Sequence, residues 1–298
     1  MIETLVGGIT LSSILSLMAI GITLLYRTTK VPNFAHASFV TTGIFAAFTL
    51  HLFNQPIYLG LLLGFLLSGL EALLLFYLVL EPLRRRKSSI FILMMATLTY
   101  DIFLFGLINI YADYLQYTYK ATARNIYLAG ADFKVLGVQG ITVVSVITLV
   151  ACLFALHIFL NKTVFGTALR AVMENDSLAL ASGINVSAML AISWFIAGGL
   201  AGVAGALLPL HIMCSPSTGM ILIAAMFAAS ILGGLEQLYG APVGGFILGL
   251  AETLLVTGLS SVLGPWVMTY SGMIPYIALI LGLIFCPRGL ISIRVRGA

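Results

Sequence analysis

The sequence predicts an all-α, polytopic membrane protein. Three observations carry that prediction: too little charge for a soluble surface, nine apolar segments of spanning length, and basic residues that collect on one side when those segments alternate. Of 298 residues, 61% are hydrophobic and 8% are charged, whereas soluble domains average about 25% charged. So little polar side chain cannot coat a soluble globule.

A span needs about 20 apolar residues. The segments that qualify are roughly 4–26, 33–53, 57–80, 90–111, 140–160, 187–210, 220–235, 242–259 and 273–287. The count is nine, within a range of eight to ten, because the second and seventh contain or follow irregular chain. The first segment lacks a basic leader and a small-residue cleavage site, so it reads as a retained span. Placing the "EPLRRRKSS" loop inside puts Arg27, Lys30, Arg84, Arg85, Arg86, Lys87, Lys162, Arg170, Arg288, Arg294 and Arg296 on the cytoplasmic face. Only Lys120, Arg124 and Lys134 then lie outside. By the positive-inside rule the N-terminus is out and the C-terminus in. Residues 1–298 read as a single transmembrane domain.

The longest external segment, 112–139, is aromatic and polar, with turn residues at Gly130 and Gly137. It reads either as a surface loop with interfacial tyrosines, which is favoured, or as a short hairpin. Spans one to four and six to nine are expected to form an inverted repeat, with broken elements at "KVPNFAH" and "CSPSTGM". Such repeats place a substrate path at their interface. Cys152, Cys214 and Cys286 are widely spaced and odd in number, which suits packing rather than a disulfide or zinc framework.

Several chemistries lack their signatures. There is no GxxxxGK[ST], so the chain holds no P-loop of its own; no HExxH or paired aspartates; and no regular arginine series for voltage sensing. The net charge of +4 comes without a basic stripe interleaved with aromatics, which argues against nucleic acid.

Between spans five and six, residues 162–186 break the hydrocarbon with mixed polarity: "KTVFGTALRAVMENDSLALASGINV". Residues 167–173 suit a short helix burying Leu169, Val172 and Met173. Asn175 and Asp176 offer caps for a second short helix, and Gly183 a stop. Lys162 and Arg170 balance Glu174 and Asp176. A neutral amphipathic segment suits a protein groove better than an anionic bilayer. The alternative is an interfacial helix that only connects two spans.

"ALRAVMENDSLALASGINVS" resembles the cytoplasmic coupling segment of branched-chain amino-acid ABC importer permeases of the LivH type, through Arg170, Ala171, Glu174, Gly183, Ile184, Asn185 and Val186. The likeness continues along the chain. "NFAH" at Asn33, Phe34, Ala35 and His36 resembles the entry to that family's second span. "PLR" at Pro82–Arg84, "GGLAGVAGALL", "ILGGLEQLYGAPVGGFILGLAETLL" and "FCPRGLIS" follow in the family's order. Two departures stand out: Ser38 or Ala37 where the family often has Gly after His, and Glu-Gln-Leu-Tyr at 236–239 where small residues are more usual.

The resemblance implies one permease subunit of an importer in a prokaryotic inner or plasma membrane. The cargo would be branched-chain or related small amino acids, amides or urea. The chain itself would do no covalent chemistry and hold no cofactor or metal. ATP and Mg would sit on two partner ATP-binding subunits. A second permease subunit and an external solute-binding protein would complete the assembly. Leu169, Arg170, Ala171, Met173, Glu174, Asn175 and Gly183 are the candidate ATPase-coupling residues.

Candidate pathway or broken-helix positions are Asn33, Phe34, His36, Gly233, Gly234, Gly240 and Glu252. Gly233, Gly234, Gly240 and Pro242 interrupt apolar chain, which at membrane depth requires protein or a water-filled cavity alongside. Asn33 and His36 follow Pro32 and either line a path or tie down freed backbone, the second being favoured. Gly198, Gly202 and Gly205, and the pairs Gly240 with Gly244 and Gly245 with Gly249, give small-residue spacing for close helix packing. Glu71, Asp101 and Glu252 lie within spans and must face protein or water; Glu252 ranks first because the resemblance includes it. The competing function is a stand-alone channel or ion-coupled secondary transporter with Asp101 or Glu252 as a proton site. A membrane enzyme is a more distant alternative.

Overall fold

Every apolar segment forms a helix in the computed structural model, which describes residues 2–135, 137–286 and 289–290. The order is α1 (Ile2–Thr29), α2 (His36–Leu52), α3 (Leu59–Leu75), a π-helical turn (Phe76–Leu80), α4 (Glu81–Arg85), α5 (Ile90–Tyr119) and α6 (Gly140–Lys162). There follow α7 (Val164–Glu174), α8 (Asp176–Ala181), α9 (Val186–Leu207), α10 (Thr218–Gly233), α11 (Ala241–Leu263) and α12 (Met273–Phe285). Six helical stretches are long and apolar enough to cross a membrane: α1, α3–α4, α5, α6, α9 and α11. The helices at spans two, seven and nine, α2, α10 and α12, are shorter at 17, 16 and 13 residues. The irregular chain noticed in the sequence has shortened α2 and α10. Arg288, Arg294, Arg296 and much of "FCPRGLIS" lie outside the described residues.

The centre is built from α1, α2 and α9, most of whose residues are buried. Small residues let these helices meet. Gly43 of α2, Gly64 of α3 and Gly202 of α9 converge, so a Cβ on Gly202 would strike the Gly64 carbonyl and one on Gly43 would strike the Gly202 carbonyl. Gly245 and Gly249 of α11 sit on the backbone of Ser16 and Ser12 in α1. Without a hydrophobic drive between helices in lipid, such close approach and interhelical hydrogen bonds supply the attraction. Ser16 Oγ donates to the Pro242 carbonyl at 2.7 Å, and the Thr23 and Ser230 hydroxyls bond at 2.6 Å.

The two most extensive helix pairings are α3 with α9 and α1 with α11. In span order these are three with six and one with eight. A twofold that exchanges spans one to four with six to nine turns each pair into the other, as the inverted repeat requires.

The external segment differs from its favoured reading. α5 continues to Tyr119, so 112–119 is helix, and a two-residue hairpin pairs Lys134–Val135 with Val138–Gln139. Tyr114, Tyr117, Tyr119 and Tyr127 are exposed, yet Ala123, Ile126 and Leu128 are buried. The reason is a backbone bridge. Ile126 and Cys214 exchange N–H···O bonds of 2.7 and 2.8 Å, and Leu128 N–H donates to the Pro209 carbonyl at 2.7 Å. The loop thereby satisfies the irregular backbone between α9 and α10.

Candidate functional site

The 162–186 segment forms α7 and α8 with ends set by local chemistry. Thr163 Oγ1 accepts from Gly166 N–H at 2.9 Å to start α7. Asn175 Oδ1 accepts from Leu178 N–H at 3.0 Å to start α8. Gly183 adopts φ +81° and stops it. Its N–H bonds the Leu180 carbonyl and that of Ile184 bonds the Ala179 carbonyl, both at 3.0 Å, the paired pattern of a glycine-terminated helix. Asn185 then caps α9 through Ala188 N–H at 3.1 Å.

α7 packs on α6, α9 and α1. Leu169 and Val172 are buried by this, at 1% and 3% exposure, with Ala171 and Met173 half-buried. The apolar face read from the sequence is therefore occupied by the chain's own core. The surface left for a partner is a different one, with Val164 86%, Phe165 57%, Leu178 66% and Leu180 65% exposed. Arg170, Glu174, Asn175 and Gly183 are also exposed.

Three ties fasten this end of the bundle. Arg84 of α4 pairs with Asp176 of α8 at 3.1 Å. Arg170 of α7 donates to Asn161 Oδ1 at 2.9 Å, and Asn161 Nδ2 donates to the Tyr239 hydroxyl at 3.2 Å. His157 Nδ1 also meets that hydroxyl at 2.9 Å. Lys30, just past α1, pairs with Glu236 at 2.7 Å. Both Glu236 and Tyr239 belong to the turn between α10 and α11. The Lys30 ammonium holds the Glu236 carboxyl below its ordinary range.

The second broken element, "CSPSTGM", lies where the α9–α10 connection enters α10 and is bridged through Cys214 to Ile126. Gly233, Gly234 and Gly240 do not interrupt a helix at mid-depth; they build a tight connection level with the end of α1, and Glu236 and Tyr239 within it are exposed. Gly234 takes φ +102°. Gly233 and Gly240 face each other so closely that a Cβ on either would strike the other's carbonyl.

The first break, 31–35, is buried or half-buried in protein. Asn33 Oδ1 accepts from Ala35 N–H at 3.1 Å. Phe34 N–H donates to Thr97 Oγ1 at 3.2 Å. His36 Nε2 lies 3.2 Å from the Met18 carbonyl, in room left by Gly21. These contacts hold backbone groups at and beside the break, while Asn33 Nδ2 and His36 Nδ1 are buried without a hydrogen-bond partner. Asp101 on α5 accepts from Ser38 N–H at 3.0 Å and from Ser38 Oγ at 2.6 Å. Thr42 Oγ1 lies 2.9 Å from both Glu71 oxygens. Glu252, ranked first from sequence, is half-buried and makes no side-chain hydrogen bond or ion pair among the described residues. Asp101 and Glu71, by contrast, have hydroxyl or backbone partners.

Sequence reading missed Ser38, Asn161 and Tyr239 as tie residues. The signal available was a hydroxyl or amide in or beside an apolar span, which in lipid tends to bond across helices. Among the described residues, no three His, Cys, Asp or Glu side chains could hold a metal.

Comparison with known proteins agrees along the whole chain. A family model described as the branched-chain amino acid transport system permease component matches residues 4–283. The chain is 41% identical over 288 residues to a probable branched-chain amino acid transport permease protein LivH of Methanocaldococcus jannaschii, covering 96% of this chain and 91% of that one. It is 28% identical over 305 residues to the high-affinity branched-chain amino acid transport system permease protein LivH of Escherichia coli K12, covering 98% and 95%. In fold it is similar to the solved PsaBC from Streptococcus pneumoniae in complex with Fab, with a TM-score of 0.52 at 13% identity over 98% of this chain and 95% of that one. A helical bundle with helices apolar and long enough to cross a membrane, and matches over nearly its full length, make this chain a member of the branched-chain amino acid permease family.

Proposed function

We propose that the chain is one permease subunit of an ABC importer for branched-chain or related small amino acids, amides or urea, driven by partner ATPases. It supplies the path and the mechanical link, and ATP with Mg sits on two partner subunits. A second permease subunit, identical or different, and an external solute-binding protein complete the complex. The observation that carries this reading is the α7–α8 segment. It presents an apolar surface outward while Arg84, Arg170 and Asn161 tie it to α4 and to the α10–α11 turn. Motion of α7–α8 by an ATPase is thereby passed to two other elements, a rigid-body coupling.

The orientation that follows from the basic residues is N-terminus out, with α7–α8 in the cytoplasm. Cysteines at Asn125 and Lys87 test it. Asn125→Cys should react with an impermeant thiol reagent added outside and Lys87→Cys should not. For the function, tagged candidate ATPases should co-purify with the chain and hydrolyse ATP faster when binding protein and leucine are present. Failure of all such ATPases to associate, with uptake that follows a proton gradient, would favour the secondary-transporter reading instead.

A further inference from the structure

A cavity of about 420 Å³ lies between the α7–α8 segment and the bundle. That is within the usual range of small-molecule pockets, about 300–1,000 Å³. Its lining has two characters. Phe76, Leu190 and Trp194 are almost fully buried and form the deep apolar part. Arg27 and Glu174 line it from more exposed positions.

The charges on this lining are not all neutralised. Arg84 and Asp176 pair with each other, and Lys30 pairs with Glu236. Arg27 and Glu174 have no ion pair among the described residues, and they do not reach each other. One cavity therefore carries a guanidinium and a carboxylate that make no salt-bridge contact, above a buried apolar floor; Arg27 acts on Glu236 only from a distance, behind Lys30. Trp194 adds an independent sign. Its Nε1 is fully buried without a hydrogen-bond partner, whereas nearly all buried polar groups have one. The π-helical turn Phe76–Leu80 forms part of the same wall; such turns recur at functional sites.

We propose that this cavity is a binding site for a zwitterionic α-amino acid with an apolar side chain. Arg27 takes its carboxylate, Glu174 its ammonium, and Phe76, Leu190 and Trp194 its side chain. Because α7–α8 forms one wall and α1, the Phe76–Leu80 turn, α4, α5 and α9 the others, an occupant joins the coupling segment to the membrane core and restrains it. Placing the site on the cytosolic face, where it would sense accumulated product, rests on the orientation proposed above; the binding does not.

The chain has two tryptophans, so Trp266→Phe leaves Trp194 as the sole indole reporter. The purified full-length Trp266→Phe protein is titrated with L-leucine, leucinamide and 4-methylpentanoate while Trp194 emission is followed. Leucine should give a saturable change. Leucinamide, which lacks the carboxylate, and 4-methylpentanoate, which lacks the ammonium, should each bind at least tenfold more weakly. Arg27→Gln should weaken leucine at least tenfold and erase its advantage over leucinamide. Glu174→Gln should do the same for its advantage over 4-methylpentanoate. Absence of a saturable leucine signal, or unchanged affinity in both variants, would overturn the proposal. Loss of reconstituted leucine transport with these titrations intact would instead remove the transport reading and leave this site standing.

Discussion

Asp101 offers a direct test of whether an intramembrane carboxylate positions backbone or moves protons. α2 begins inside protein, so the N–H groups of its first turn have no helical partner. Ser38 supplies one of them, and Asp101 Oδ1 accepts it at 3.0 Å from a different helix, α5. A carboxylate there also faces the positive end of the α2 dipole. Asp101→Leu removes this acceptor. The Ser38 hydroxyl keeps an alternative in the residue-101 backbone carbonyl, at 3.1 Å, so the loss falls on the N–H. An orphaned buried N–H costs about 1–3 kcal/mol. Asp101→Asn retains a carbonyl oxygen and should cost about 1 kcal/mol, roughly the difference between charged and neutral bonds. The assay is equilibrium unfolding in mixed micelles alongside reconstituted uptake. Positioning requires Asp101→Leu to be clearly the less stable variant and Asp101→Asn to keep transporting. A stable Asp101→Leu protein, or a stable Asp101→Asn protein without uptake, would refute it and point to a proton site.

Leu169→Asp should destabilise the chain by at least the ~2–5 kcal/mol of losing a core leucine, whereas Phe165→Asp and Leu178→Asp should leave unfolding unchanged and reduce ATPase co-purification. Gly202→Val should cost about 1–3 kcal/mol or more by overpacking, read by unfolding, because its Cβ meets the Gly64 carbonyl and Ser68 Oγ. The Glu236 carboxyl is lowered by Lys30 from an ordinary value of 4.5, so its contribution is present above pH 4.5 and lost as pH falls through the depressed value. Glu236→Gln should flatten the stability profile only on that acid side, and by little, since the pair is exposed.

The helical order was legible because membrane spans announce themselves by length and apolarity alone. The caps of α8 were legible too: Asn175 and Gly183 act through their own backbone neighbourhood, which sequence displays directly. Rotation of α7 was not. An amphipathic pattern says that Leu169 and Val172 are buried but not whether their cover is this chain or a partner. Nor did hydropathy give depth to the Gly233–Gly240 turn, since glycines read the same at mid-bilayer and at a helix end. Both departures from the resembled pattern proved to be tie points. Ser38 meets Asp101, and the 236–239 stretch supplies Glu236 and Tyr239. Their partners lie 63, 206 and 78 residues away, beyond any local pattern.

The exchange of partners between the two halves has a consequence for biosynthesis. α1 is made first, yet its most extensive contact is α11, and its serines and threonine reach Pro242, Phe246 and Ser230. α3 likewise waits for α9. Neither half can complete its own interior, so an emerging N-terminal half must remain loosely associated in the bilayer until the second half arrives. Long-range pairing of this kind delays assembly. A chain severed between α5 and α6 should therefore recover its structure when the two fragments are co-expressed, and neither fragment should survive proteolysis alone. The interleaving leaves the first span without its main partner until the eighth has been made.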